Sequence, residues 1–90
     1  MMLTLRRISQ FKKDYKRCIK RRCEIVKLHT VIELLVNGKK LDAGYRDHSL
    51  LGEYRDCREC HIEPDWLLIY KLTENELILI RTGTHTDLFE

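Results

Sequence analysis

Proline occurs once and glycine four times in 90 residues, so neither a low-complexity stretch nor an interdomain linker is expected. No apolar run approaches the roughly 20 residues that a membrane-spanning helix requires, and no membrane association is expected. The opening MMLTLRRISQFKKD lacks an apolar block followed by a small-residue cleavage site, which places the protein in the cytoplasm by expectation. At 10.8 kDa the chain leaves no room for a second catalytic domain, so residues 1–90 read as one domain. Hydrophobic residues make up 43% and charged residues 34%, which implies a small core beneath a heavily ionic surface.

Acidic residues are scarce at the start of the chain. Residues 1–40 hold twelve Lys/Arg against three Asp/Glu, a charge of +9, whereas residues 41–90 hold five against eleven, a charge of −6. The density of Lys12, Lys13, Lys16, Arg17, Lys20, Arg21 and Arg22 points to an anionic partner, either nucleic acid or an acidic protein. A solvated helix face is the ordinary alternative.

Four cysteines (Cys18, Cys23, Cys57, Cys60) raise disulfide, zinc and haem readings. A cytosolic chain argues against stable disulfides. Cys57, Cys60 and His61 spell C-x-x-C-H, but covalent haem attachment belongs outside the cytosol and needs export. If residues 57–61 form a strand, Cys57 and Cys60 point to opposite faces, which opposes a shared ligand role. Small buried or half-buried thiols are expected, with no metal and no cofactor.

Alternation over 1–7, with Leu3 and Leu5 inward, predicts a half-buried strand. Ser9 suits a helix N-cap. Phe11, Tyr15, Cys18 and Ile19 recur at helical spacing through residue 22, and Ile25, Leu28, Ile32, Leu35 and Val36 repeat the pattern over 24–37. Asn37-Gly38 supplies the stop. Residues 41–52 read as a loop and 54–62 as a polar strand, with Glu59, His61 and Glu63 on one side if it extends that far. Pro64-Asp65 marks a turn, WLLIYKL (66–72) an apolar strand and ELILIR (76–81) its hairpin partner. Gly83 ends that strand, leaving THTDLF as a short tail. The order β-α-α-β-β-β predicts an α+β fold, a small antiparallel-rich sheet packed by a two-helix hairpin.

The hairpin brings the start of one apolar strand to the end of the other, so Asp65, Arg81 and His85 converge with His61 nearby. Imidazoles, a carboxylate and a guanidinium suit metal-free RNA cleavage, which needs a base for the 2′-OH, an acid for the 5′ oxygen and a cation on the phosphate. Histidine holds or releases a proton near neutrality. Trp66 and Phe89 either pack the core or stack a nucleobase, and His29 reads as structural. From the residues alone, an RNA-directed enzyme and a non-enzymatic binder of nucleic acid or protein stand level.

The stretches DHSLLG (47–52), RECHIEPDWLLIYKL (58–72) and RTGTHTDLF (81–89) resemble the YafQ branch of the RelE/ParE toxin superfamily. The resemblance implies a RelE-like fold and a ribosome-dependent, metal-independent mRNA interferase that cuts in the ribosomal A site by 2′-OH attack. It implies a cognate antitoxin, with ribosomal RNA and mRNA as the other partners. The toxin alone is expected to be monomeric. The family's catalytic positions fall on His48, His61, Asp65 and His85, with Arg81 as phosphate ligand. Trp66, Phe89 and Glu59 fall at positions that shape the RNA site, and the basic helix (Lys12, Lys13, Lys16, Arg17, Lys20, Arg21) would grip ribosomal RNA. His85 is expected as general acid; Asp65, with His48 or His61, would handle the 2′ proton. Within the superfamily, a ParE-like gyrase poison is the first alternative, disfavoured by the full His-Asp-His set. A non-catalytic nucleic-acid-binding member is the second.

Overall fold

The computed structural model describes residues 2–89, so Met1 of the expected first strand lies outside it. The chain runs β1 (Thr4–Arg7), α1 (Ser9–Lys20), α2 (Ile25–Val36), β2 (His48–Ser49), β3 (Arg58–Glu63), β4 (Trp66–Leu72), β5 (Glu76–Gly83) and α3 (His85–Phe89). Single 3₁₀ turns at Ala43–Tyr45 and Gly52–Tyr54 punctuate the connection from α2 to β3. The strands form one sheet in the order β1-β5-β4-β3-β2, parallel between β1 and β5 and antiparallel elsewhere.

The expected α+β class and helical hairpin are both present. α1 turns Phe11, Asp14 and Cys18 inward at spacings of three and four, and α2 turns in Leu28, Val31 and Leu35. Each helix closes with the same pair of reversed hydrogen bonds. In α2, Gly38 N–H reaches Leu35 O (3.0 Å) and Lys39 N–H reaches Leu34 O (2.9 Å); Gly38 adopts φ +71°. In α1, Arg22 takes the left-handed position at φ +60°, and Cys23 N–H reaches Cys18 O at 3.1 Å.

Residues 66–70 of β4 are all buried because both faces of the sheet are covered at its centre. Trp66, Leu68 and Tyr70 meet the helices, together with Cys60, Leu77 and Leu79. Leu67 and Ile69 face the other way, under Leu88 with Leu50, Tyr54, Cys57 and Ile80 around them. Cys57 and Cys60 therefore occupy opposite faces, and all four cysteines are free thiols.

Several local expectations are corrected. β1 is exposed along its whole length, since it is an edge strand whose outer side carries nothing among the described residues. Ile8, not Ser9, is the N-cap of α1, and no side chain caps that end. The 41–52 loop contains β2, which adds a fifth strand. Gly83 is the last residue of β5, and the expected tail is α3.

β5 outruns its parallel partner. The β1 pairing stops at Arg7 opposite Leu79, which leaves the far end of β5 with an open edge. Asp14 closes it: its carboxylate is 1% exposed, accepts the Thr82 backbone N–H at 3.1 Å, and pairs with Arg81 Nε at 2.6 Å and Arg17 Nη2 at 3.1 Å. Removing one partner of a buried ion pair strands the other. Asp14→Ala is thus expected to cost about 3 kcal/mol in urea denaturation, a large part of the ~5–15 kcal/mol that holds a small domain. A midpoint equal to wild type would show that this carboxylate does not join helix to sheet.

Candidate active site

Register decides which side chains share a surface. On the face away from α1 and α2, Arg81 lies opposite Ile69, Ile69 opposite Glu59, and Glu59 opposite His48. The next row runs Gly83, Leu67, His61. Arg81 reaches this face because β5 carries one extra residue, Ile80, between the Leu79–Tyr70 and Arg81–Ile69 pairs. Such a bulge re-aims every side chain beyond it. A second bulge, at Ile62, has the opposite effect on Glu63. It turns Glu63 to the helix side, where Lys27 Nζ donates to it at 2.8 Å, so Glu63 does not join Glu59 and His61.

Glu59 is buried (5% exposed) between two imidazoles, 3.1 Å from His48 Nε2 and 3.7 Å from His61 Nε2. His48 Nδ1 lies 2.7 Å from the Arg46 carbonyl. A carbonyl only accepts, so Nδ1 carries a proton there. The Nε2–Glu59 contact then becomes attractive when the pair holds one proton more. The His61 ring sits midway, with centroids 6.4 Å from His48 and 5.8 Å from His85, and its buried Nδ1 has no partner among the described residues.

His85 is set by two devices. Asp65 Oδ1 accepts both its backbone N–H (2.9 Å) and Nδ1–H (2.6 Å), and these bonds hold the Asp65 carboxyl below its ordinary range. Nε2 is left pointing away from the carboxylate. The short helix α3 that carries His85 is closed by a reciprocal cap: Thr84 N–H donates to Asp87 (2.9 Å) and Asp87 N–H to Thr84 Oγ1 (3.1 Å). Asp87 also binds Arg21 Nη1 at 2.6 Å and approaches Arg17 Nη2 at 3.7 Å. Gly83 has φ +155°, and a Cβ there would lie 2.8 Å from Asp87 Oδ2, so the cap needs glycine at this position.

Arg81 keeps Nε and Nη2 on Asp14 and offers Nη1 to Tyr54 Oη in a long contact of 3.4 Å. Tyr54 in turn meets the Phe89 ring edge-to-face at 5.9 Å. The fold thus brings His48, Glu59, His61, Asp65, Arg81, His85 and Phe89 to one side of the sheet. Trp66 is a correction: strand alternation points it at the helices, where it is 5% exposed and its Nε1–H donates to Thr82 Oγ1 at 2.9 Å. It packs the core and has no ring face open to a base. Glu59 likewise lies beneath the imidazoles and is not open to RNA.

In α1, Lys12, Lys13, Lys16 and Lys20 are exposed and form no ion pair among the described residues, whereas Arg17 and Arg21 are tied to Asp14 and Asp87. Sequence reasoning missed Asp14, Tyr54 and Asp87. Asp14 had a signal, an acid at the apolar spacing of a cationic helix. The T-x-x-D of residues 84–87 is a capping pattern. Tyr54 had none. Among the described residues, no group of three or more His, Cys, Asp or Glu is arranged to hold a metal ion.

A mixed five-stranded sheet backed by a helical hairpin, with imidazoles, carboxylates and a guanidinium on its other face, is an architecture shared with bacterial toxins of type II toxin-antitoxin systems. The chain matches the family described as bacterial toxin of type II toxin-antitoxin system, YafQ, over residues 3–90, and it belongs to that family. The mRNA interferase toxin YafQ of Escherichia coli K12 is 47% identical over 82 residues, covering 90% of this chain and 89% of that protein. The crystal structure of YafQ from E. coli BL21(DE3) superposes with a TM-score of 0.94 at 42% identity, covering 98% and 99% of the two chains. The toxin chain of the E. coli DinJ–YafQ toxin-antitoxin complex gives 0.93 at 42% identity, with both chains fully covered.

Arg21 first, and the Thr84 cap and Arg17 after it, hold the Asp87 carboxyl below its ordinary 3.8. A carboxyl lowered in the folded state adds stability above that ordinary value and loses it as pH falls through the folded one. Asp87→Asn is expected to lower the melting temperature at pH 7, with the deficit shrinking as pH falls below the ordinary carboxylate range. A deficit that stays constant across the acid limb would show that its charge is not what holds α3.

Proposed function

We propose that this YafQ-family toxin cuts mRNA in the A site of the ribosome, with the ribose 2′-OH as nucleophile. The protein is an endoribonuclease of the mRNA interferase type, the activity named for its E. coli relatives. In the proposed reaction the 2′ oxygen attacks phosphorus while the bond to the 5′ oxygen breaks, leaving a 2′,3′-cyclic phosphate and a 5′-OH. One group takes the 2′ proton and another protonates the leaving oxygen.

The observation that carries this reading is the Asp65–His85 pair, set on one face with His61, His48 and Arg81. With Nδ1–H held by Asp65, His85 presents Nε2 as the acid toward the 5′ oxygen. The carboxylate fixes the tautomer and direction of the ring, as the third member of a catalytic triad does. Because Asp65 Oδ1 already accepts two hydrogen bonds from His85, we assign it to orientation, and the 2′ proton goes to His61 or His48. Arg81 Nη1 would meet the phosphate and offset the charge gathering there. These side chains supply a base, an acid and a cation, so the route calls for no metal.

Phe89, 48% exposed, would stack a base at the rim. Lys12, Lys13, Lys16 and Lys20 would contact ribosomal RNA phosphates, while Arg17 and Arg21 brace α3 behind them. The partner that neutralises the toxin would be a cognate antitoxin, as DinJ partners YafQ in the solved E. coli complexes. The curated relatives' name favours this reading over gyrase poisoning or silent binding.

Mapping mRNA 5′ ends in cells tests it. Wild type should produce cuts confined to translated, in-frame codons. His85→Ala should lose on the order of 10²–10⁴-fold in cleavage, the usual contribution of a general acid, while keeping its melting temperature and antitoxin binding. Cuts spread over untranslated RNA would remove the ribosome from the account. Full cleavage by His85→Ala would remove the acid.

A further inference from the structure

β2 is only two residues long and makes just two strand pairs, His48 with Glu59 and Ser49 with Arg58. So short an edge element does not hold its place by its own ladder. Yet it carries a half-exposed imidazole to the rim of the site, 3.1 Å from Glu59. Besides the Leu50 N–H bond to Cys57 O at 3.0 Å, which extends the pairing by one residue, what fixes it lies behind the strand. Side chains alternate, so if His48 faces the site, Asp47 and Ser49 face the reverse side.

On that side Asp47 accepts from the Tyr70 hydroxyl, from Arg58 Nε at 2.6 Å and from Arg58 Nη2 at 2.6 Å. Arg58 Nη1 also donates to Ser49 Oγ at 3.1 Å. Arg58 and Tyr70 are direct cross-strand neighbours on β3 and β4, and Tyr70 is 1% exposed, so the anchor is rooted in the core. The entry to β2 is equally constrained: Arg46 adopts φ +53° and ψ +40°, a left-handed conformation that is costly for a residue with a Cβ, and its carbonyl meets His48 Nδ1. A strained residue persists only where its surroundings over-determine it.

We infer that Asp47 is a positioning residue: clamped by Tyr70 and Arg58, it holds β2 so that the His48 imidazole stands in the site. The inference rests on the proposed reading in which His48 takes part in proton transfer. Electrostatics agree, since the bond to Asp47 strengthens the hold of Arg58 on its proton, and burial, with Asp47 adding to it, keeps the Tyr70 hydroxyl protonated.

The test combines imidazole NMR with ribosome-programmed cleavage for Asp47→Asn, His48→Ala and the double variant. Asp47→Asn should shift or broaden the His48 ring resonances and leave those of His85 in place. It should also lower kcat by up to about 10²-fold with KM little changed, the scale of a misplaced catalytic group. In the His48→Ala background it should add nothing, because two residues acting through one group are not additive. Unchanged His48 resonances in Asp47→Asn would overturn the anchor. A full further loss in the double variant would overturn it too, because Asp47 would then act through something other than His48. Displaced resonances with wild-type kcat would uphold the anchor and instead sink the role given to His48. If Asp47→Asn does not fold, Tyr70→Phe deletes one arm of the clamp and is read by the same resonances and the same cycle.

Discussion

One extra residue in β5 sets the chemistry of this molecule. Counting from the β4–β5 turn, strict alternation would send Arg81 to the helix side with Leu77 and Leu79. Ile80 interrupts that count, and beyond it Arg81 joins the face of Glu59 and His48 while Thr82 turns back to bond Trp66. Without the bulge the guanidinium and the imidazoles would occupy opposite sides of the sheet. The bulge also disturbs the ladder, in the stretch of β5 that has already lost its β1 partner. Asp14 makes good that loss by accepting the Thr82 N–H and gripping Arg81.

Helix α1 therefore has two separate jobs. Its lysines form an exposed cationic surface suited to phosphates. Its inward and flanking groups, Asp14, Arg17 and Arg21, are structural and reach the site through Arg81 and Asp87. Composition alone merges the two sets into one basic helix. What separates them is a pair of acids, Asp14 and Asp87, that sequester two of the arginines. The same division recurs at β2, where the back of the strand is anchored and the front is presented.

The apolar hairpin was legible in the sequence because WLLIYKL and ELILIR have the length and side-chain type of central strands, and because T-E-N joins them. The helices were legible from spacing, and the convergence of Asp65 with His85 followed from the hairpin. Other features depend on information that no local pattern holds. β2 has two residues and no periodicity. The bulges at Ile62 and Ile80 sit inside runs that look regular, so plain alternation puts Glu63 beside His61 if the strand extends that far, whereas the fold puts it with Lys27. Trp66 reads equally well as core or as base platform until its strand parity is known. The α3 cap was readable from Thr84 and Asp87, but five residues at the end of a strand give no helical period to prompt the search.

The central claim is that this face uses the substrate's own 2′-OH, with imidazoles moving the protons. The most direct measurement is cleavage of a ribosome-bound mRNA carrying a single 2′-deoxynucleotide at the scissile position, with end-group analysis of the all-ribose control. The account predicts no cut in the deoxy-substituted message, and a 2′,3′-cyclic phosphate with a 5′-OH from the control. Cleavage of the deoxy-substituted message, or a 5′-phosphate on the downstream fragment, would mean that water or another nucleophile attacks and that this assignment of protons is wrong.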